Sequence, residues 1–232
     1  MEKIDLSERQ EKLPIGVNCI DEVMGGGLEP EVITEIYGEG GSGKSNLCMQ
    51  FAISSIRNGK KVIFLDTEGF SAERFSQVSG GNTEMLNEMM MFRISSLEDQ
   101  ELTLLRLPKM IEKAKPVGLL IIDSFTEFFR LEPFPDASSR ALAFQKEVSS
   151  LTSILLKFKI PILITNQIYQ DPSSGELHPF GGYVIDHAVK AIFSIEKLPE
   201  GKRRISVVKH RSIREGNFTE FRITDYGISC EG

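Results

Sequence analysis

Residues Gly38-Glu39-Gly40-Gly41-Ser42-Gly43-Lys44-Ser45 spell G-x-x-x-x-G-K-S/T, a phosphate-binding loop that works only when it joins a strand to a helix. Both neighbours are present in the chain. The apolar, β-branched run from Val32 to Tyr37 predicts a strand before the loop, and the amphipathic stretch from Asn46 to Arg57 predicts a helix after it. The glycines admit positive φ, so that successive N–H groups can turn inward and cradle phosphate oxygens at a helix N-terminus. Lys44 is placed to reach the β and γ phosphates, and the Ser45 hydroxyl to ligate Mg²⁺. The loop therefore implies a nucleoside triphosphate, with a Gly-rich turn as the bland alternative.

The rest of the chain alternates in the manner of a parallel α/β sheet. Lys61 to Asp66 and Gly118 to Asp123 read as fully buried strands, Ile162 to Asn166 as another, and Met91 to Ile94 as a weaker one. Leu97 to Lys113 and Ser138 to Phe158 have helical periodicity between them. From Ala188 onward the pattern becomes β-rich, with Ala191 to Glu196, Arg204 to Lys209 and Thr219 to Ile223 as strands and Lys202-Arg203-Arg204 opening at a turn. We expect one α/β domain of P-loop NTPase type over residues 1–232, with 1–13 a short extension and helices on both sheet faces.

A net charge of −6 excludes a surface that is basic throughout, so any nucleic-acid contact must be a local patch. No apolar run is long enough to span a bilayer, which with the absence of a leader pattern predicts a soluble, cytoplasmic protein without a membrane partner. Cys19, Cys48 and Cys230 have no metal or redox spacing and are expected as isolated thiols in a reducing compartment.

Hydrolysis needs more than a cradle: a metal anchor, a group that handles water, and a sensor of the γ-phosphate. Asp123 ends the run GLLIID and suits the metal-anchoring Walker B position, or else caps the next helix. Glu68 follows the strand ending in Asp66 and is either a general base for water or a solvated turn carboxylate. Asn166-Gln167 closes another strand, as a γ-phosphate sensor or merely a polar strand end.

In order and spacing these segments resemble the ATPase core of the RecA-type recombinases, in particular short archaeal paralogues of the RadA recombinase. The resemblance runs from about Pro14 to the C-terminus and rests on Pro14-Ile15-Gly16, Gly25-Gly26-Gly27, Leu65-Asp66-Thr67-Glu68-Gly69, Glu73-Arg74, Ile122-Asp123-Ser124, Phe129-Arg130, Thr165-Asn166-Gln167, Gly181-Gly182 and Arg222-Ile223-Thr224. It implies a RecA-like fold using ATP and Mg²⁺, with Glu68 as catalytic glutamate, Gln167 as the sensor linking nucleotide to a DNA loop, and Arg74 beside the adenine. Arg130, Arg140 and Lys146 fall in or near the equivalent of the first DNA loop.

Departures from that pattern shape the functional expectation. Residues 1–13 leave no room for the family's accessory DNA domain and subunit-docking peptide, and the segment from Ile168 to Phe180 contains no Lys or Arg. Basic residues cluster instead at Lys202-Arg203-Arg204, a solvated hairpin or a DNA contact, and at Lys209-His210-Arg211, which resembles an element that related ATPases present to a neighbour's nucleotide. We therefore expect a weak, DNA-associated ATPase that assists or regulates a RadA-type recombinase, a junction nuclease or replication proteins, on single-stranded or branched DNA, with a homodimer as one assembly. The alternatives are a filament-forming strand-exchange recombinase and a RecA-like signalling ATPase acting on proteins.

Overall fold

The structure is a computed structural model that describes residues 11–114, 116–170, 177–181 and 188–230. Most of the N-terminal extension, the middle of the loop after Gln167, and Gly182 lie outside the described residues. In chain order the elements are α1 (Asn18–Val23), β1 (Ile33–Gly38), α2 (Lys44–Arg57), β2 (Lys61–Asp66), α3 (Ala72–Val78), β3 (Met89–Arg93), α4 (Leu97–Ala114), β4 (Val117–Asp123) and α5 (Glu127–Leu131). There follow α6 (Ala137–Phe158), β5 (Ile162–Gln170), β6 (Leu177–Pro179), β7 (Ala191–Lys197), β8 (Lys202–His210), β9 (Phe218–Thr224) and β10 (Gly227–Cys230).

The strands form one sheet in the order β10-β9-β8-β7-β1-β5-β4-β2-β3, with β6 hydrogen-bonded to β5. From β7 to β3 every neighbouring pair is parallel, whereas β8, β9 and β10 continue the sheet antiparallel. This is the mostly parallel α/β architecture with a β-rich C-terminal end that the sequence pattern implies.

Alternation along each parallel strand divides the core in two. Val62 and Phe64 pack on one face with Phe51 of α2 and Phe75 of α3, while Ile63 and Leu65 pack on the other with Leu104 of α4 and Leu151 of α6. Leu119 and Ile121 separate from Leu120 and Ile122 in the same way. A strand covered on both faces shows no polar side, which is why these segments read as unbroken apolar runs. The consequence for function is positional: β1, β2, β4 and β5 all point the same way, so the residues that end them share one edge of the sheet.

Two expectations are corrected. Lys202, Arg203 and Arg204 begin β8 and pair with β7 and β9, so they belong to a strand and not to a turn. Cys19 and Cys230 are bonded to each other, with Cα atoms 5.8 Å apart and 211 residues between them, and join α1 to β10. Spacing along the chain cannot reveal such a pair, because only the sheet order brings its two ends together. Cys48 remains a free, buried thiol beneath the phosphate loop.

Candidate active site

The phosphate loop leaves β1 at Gly38 and enters α2 at Lys44. Its glycines answer to sterics at two points. A Cβ on Gly38 would lie 2.4 Å from the Ile195 carbonyl oxygen of β7, so the two backbones can run side by side only without one. Gly43 caps α2 with φ of +113°, and a Cβ there would stand 2.6 Å from Ile223 of β9. The antiparallel extension thus closes over the loop.

Within the loop one buried cation is held by the loop's own carbonyls and one buried hydroxyl has no partner. The Lys44 ammonium is buried and folds back, donating to the Gly38 and Glu39 carbonyls at 2.9 Å each. Its burial lowers its pKa, against the raising influence of Glu68 and Asp123. Ser42 Oγ is fully buried with no hydrogen-bond partner. A retracted lysine, an orphaned hydroxyl and a glycine cradle fit a phosphate chain. Lys197 at the end of β7 lies 3.6 Å from the Glu39 carboxylate beside the same loop, a neighbour that the sequence reading did not single out.

Asp123, Glu68 and Gln167 reach this edge from three strands. Asp123 is buried, and burial raises its pKa, partly offset by hydrogen bonds from Thr165 at 2.5 Å and from Ser45. Ser45 and Asp123 thereby present adjacent oxygen ligands of the hard type that Mg²⁺ prefers. Gln167 Nε2 donates to Glu68 at 2.8 Å, so the two groups expected to handle water and sense the γ-phosphate hold one another. Asn166, by contrast, is structural: it donates to Glu35 and to the Phe180 carbonyl, each at 2.7 Å, and accepts from Thr126 at 2.7 Å.

That last network leads to a second feature. The Phe180 N–H donates to the Gln167 carbonyl at 3.4 Å, and its ring lines a cleft of about 550 Å³ together with Arg130, Arg140, Tyr169 and Gly181. The Arg140 guanidinium stands 5.8 Å from the Phe180 ring centre, and Tyr169 meets that ring edge-on at 6.3 Å. Arg130 is held by Glu127 at 3.1 Å. Behind the cleft Phe125, Phe129 and Phe144 form a buried aromatic cluster, stacked by Phe134 on Phe129. Lys146 is turned to Glu101 of α4.

The remaining basic candidates separate to opposite edges. Because β8 runs antiparallel to β7, Lys202, Arg203 and Arg204 begin at the phosphate-loop edge, where Arg203 pairs in register with Lys197. Arg204 bonds Glu220 at 2.7 Å and lies 4.6 Å over the Phe218 ring. Lys209, His210 and Arg211 end at the far edge, away from this chain's own loop. There Lys209 donates to the Val189 carbonyl at 3.1 Å, while Arg211 and Lys12 both pair with the buried Glu29. Arg74 lies beside the site, its Nε on Asn46 Oδ1 at 2.8 Å and its remaining donors on Gln77 and on the turn after β9.

The family model described as Rad51 matches residues 8–231. The chain is 55% identical to the DNA repair and recombination protein RadB of Thermoplasma volcanium over 231 residues, covering 100% of this chain and 97% of that one. It is 50% identical to the protein of the same name from Thermoplasma acidophilum, with both chains fully covered. Among solved structures, the crystal structure of the RadB recombinase superposes with a TM-score of 0.83 at 31% identity, covering 95% of this chain and 100% of that one. Among the described residues, no helix is long and apolar enough to cross a membrane.

Proposed function

Because the chain belongs to the Rad51 family, we propose that it is a DNA repair and recombination protein whose weak ATPase controls its hold on single-stranded or branched DNA. It acts beside a RadA-type recombinase without exchanging strands itself. The observation that carries this reading is Gln167, the last residue of β5 to pair with β1 before the strand runs on to Gln170, whose side chain holds Glu68 while its peptide carbonyl holds Phe180 in the arginine-aromatic cleft. One residue touches both the hydrolytic carboxylate and the cleft.

The roles follow from position. Gly38 to Ser45 take the phosphates on backbone N–H groups, and Lys44 leaves its two carbonyls for the β and γ phosphate oxygens. Mg²⁺, held through Ser45 and Asp123, would neutralise charge on the phosphate oxygens. When the γ-phosphate engages the Gln167 amide, Glu68 is released to accept a proton from water. The water oxygen bonds to the γ-phosphorus, the bond to the β–γ bridging oxygen breaks, and ADP and phosphate leave. Departure of phosphate lets Gln167 return to Glu68 and shifts Phe180 with it.

Two features support a modest grip on DNA. The cleft offers aromatic faces for stacking bases, but beyond its two arginines the sequence from Ile168 to Phe180 supplies no Lys or Arg. ATP turnover with and without single-stranded DNA, beside DNA binding at two salt concentrations, tests the proposal. Slow turnover with weak stimulation and salt-dependent binding is expected. Strong stimulation would instead mark a strand-exchange recombinase, and the absence of salt-dependent binding would mark a signalling ATPase.

A further inference from the structure

Resting on the ATPase reading, we propose that Lys197 is a second phosphate-binding cation, supplied by the same chain, which stabilises the charge left on ADP as the γ-phosphate departs. Strand pairing puts it there. Ile195 of β7 stands in register with Gly38, the last residue of β1, and its side chain is buried in the core on the α2 face of the sheet. Side chains two apart on a strand share a face, so Lys197 projects on that same side, just past the point where β1 gives way to the phosphate loop. There its Nζ would lie 3.7 Å from a Cβ on Gly41, in the middle of the loop.

What Lys197 holds in this position is easily given up. The Glu39 carboxylate is 3.6 Å away, beyond good hydrogen-bonding distance, and both side chains are half-exposed. An exposed ion pair of that length stabilises the fold little, so a phosphate oxygen can replace the carboxylate. Across the ladder Arg203 stands in register with Lys197; its Nη1 donates to the Gly201 carbonyl, while its Nε is buried and has no partner among the described residues. The two lysines also feel each other across the loop. Burial lowers the Lys44 pKa, and the charge of Lys197 adds a small increment in the same direction. Like charges gathered at one loop are relieved by a polyanion.

The sheet order assigns the side of the reaction that Lys197 serves. Glu68 and Gln167 come from β2 and β5, on one side of β1, whereas Lys197 comes from β7 on the other. In-line displacement places the leaving oxygen opposite the attacking water. Glu68 takes the proton, the water oxygen bonds to the γ-phosphorus, and the bond to the β–γ bridging oxygen breaks on the Lys197 side with its electron pair remaining on ADP. The ammonium keeps its protons and meets that new charge electrostatically.

Single-turnover hydrolysis at saturating ATP and Mg²⁺, measured beside ATP affinity, tests the role. Lys197→Ala is expected to slow the cleavage step about ten- to a thousandfold while ATP affinity falls no more than about tenfold, with Lys197→Arg recovering most of the rate. Adding Glu39→Gln to Lys197→Ala separates the lost cation from the bared carboxylate, and the double variant is expected to stay as slow as Lys197→Ala. An unchanged cleavage rate in Lys197→Ala, or a loss confined to ATP affinity, overturns the proposal and leaves the ATPase reading standing. A double variant restored to the wild-type rate also overturns it, because the defect then came from the unpaired Glu39. If the wild-type protein cleaves no ATP under these conditions, the ATPase reading and the role of Lys197 fall together.

Discussion

The two edges of the parallel sheet each carry a knot of charge, and the knots are in opposite electrostatic conditions. At the edge where the strands begin, Glu29 is buried, and burial pushes its carboxyl up, yet Lys12 and Arg211 overcome this and hold it below the usual carboxylate range. His210 lies 3.7 Å away and is pushed down by burial. At the edge where the strands end, Lys44 is pushed down and Asp123 up, each by burial that its neighbours do not overcome. In the first knot the charges are paired within the protein, Glu29 with Lys12 and Arg211. In the second, a cation and a carboxylate are both driven toward their neutral forms, the condition that a polyanion and its metal relieve. Clusters alike in composition thus differ in whether their charges are settled, and the unsettled one is the candidate site.

Lys44→Ala bears hardest on this contrast: phosphate release should fall at least about a hundredfold, and retained turnover would remove the loop from the chemistry. Glu68→Gln should lower turnover by about 10²- to 10⁴-fold while ATP affinity persists, so equal losses in binding and turnover would assign Glu68 to binding. A third carboxyl, Glu147, sharpens the comparison because it is buried with no cation bonded to it. Burial raises its pKa to about 8, and it accepts from Gln100 at 2.6 Å while its other oxygen has no partner.

The sign for Glu147 follows from linkage. The folded state keeps a proton that the unfolded state releases, so the contribution is full below the unfolded value near 4.5 and is lost as pH rises toward about 8. Urea unfolding between those limits should show the wild type losing at most about 1.4 kcal/mol per pH unit relative to Glu147→Gln. A constant difference between the two proteins would mean that Glu147 stays ionised. The smallest effect belongs to the settled edge, where Arg211→Ala should cost about 1–2 kcal/mol of stability and leave ATP affinity unchanged. If hydrolysis or DNA binding fell instead while stability held, Arg211 would serve a neighbour's nucleotide or DNA, and the satisfied-edge description would fail.

What could be read in advance follows the same division. The phosphate loop was legible because its residue types are demanded at fixed spacing, and the runs Lys61–Asp66 and Gly118–Asp123 because burial on both faces leaves their interior positions apolar. Asp123 and Glu68 were legible as carboxylates at the ends of such runs. β10 was not, since four residues with one exposed position carry too little periodicity. The basic start of β8 read as a turn because its charges follow a Gly and a Pro, although Arg204 lies over the Phe218 ring within a strand ladder. Lys197 at the phosphate loop and the occupation of Arg211 by Glu29 depend on which strands become neighbours, information that no local pattern contains.

The bond between Cys19 and Cys230 closes a loop with a sequence separation of 211 residues. In a loop-closure account it removes about 5 kcal/mol of freedom from the unfolded chain. Topologically the molecule is a ring, and every strand and every group of the nucleotide edge sits on it. A single backbone nick anywhere on that ring opens it without setting a fragment free, so the two halves of the sheet remain one molecule until the sulfurs part.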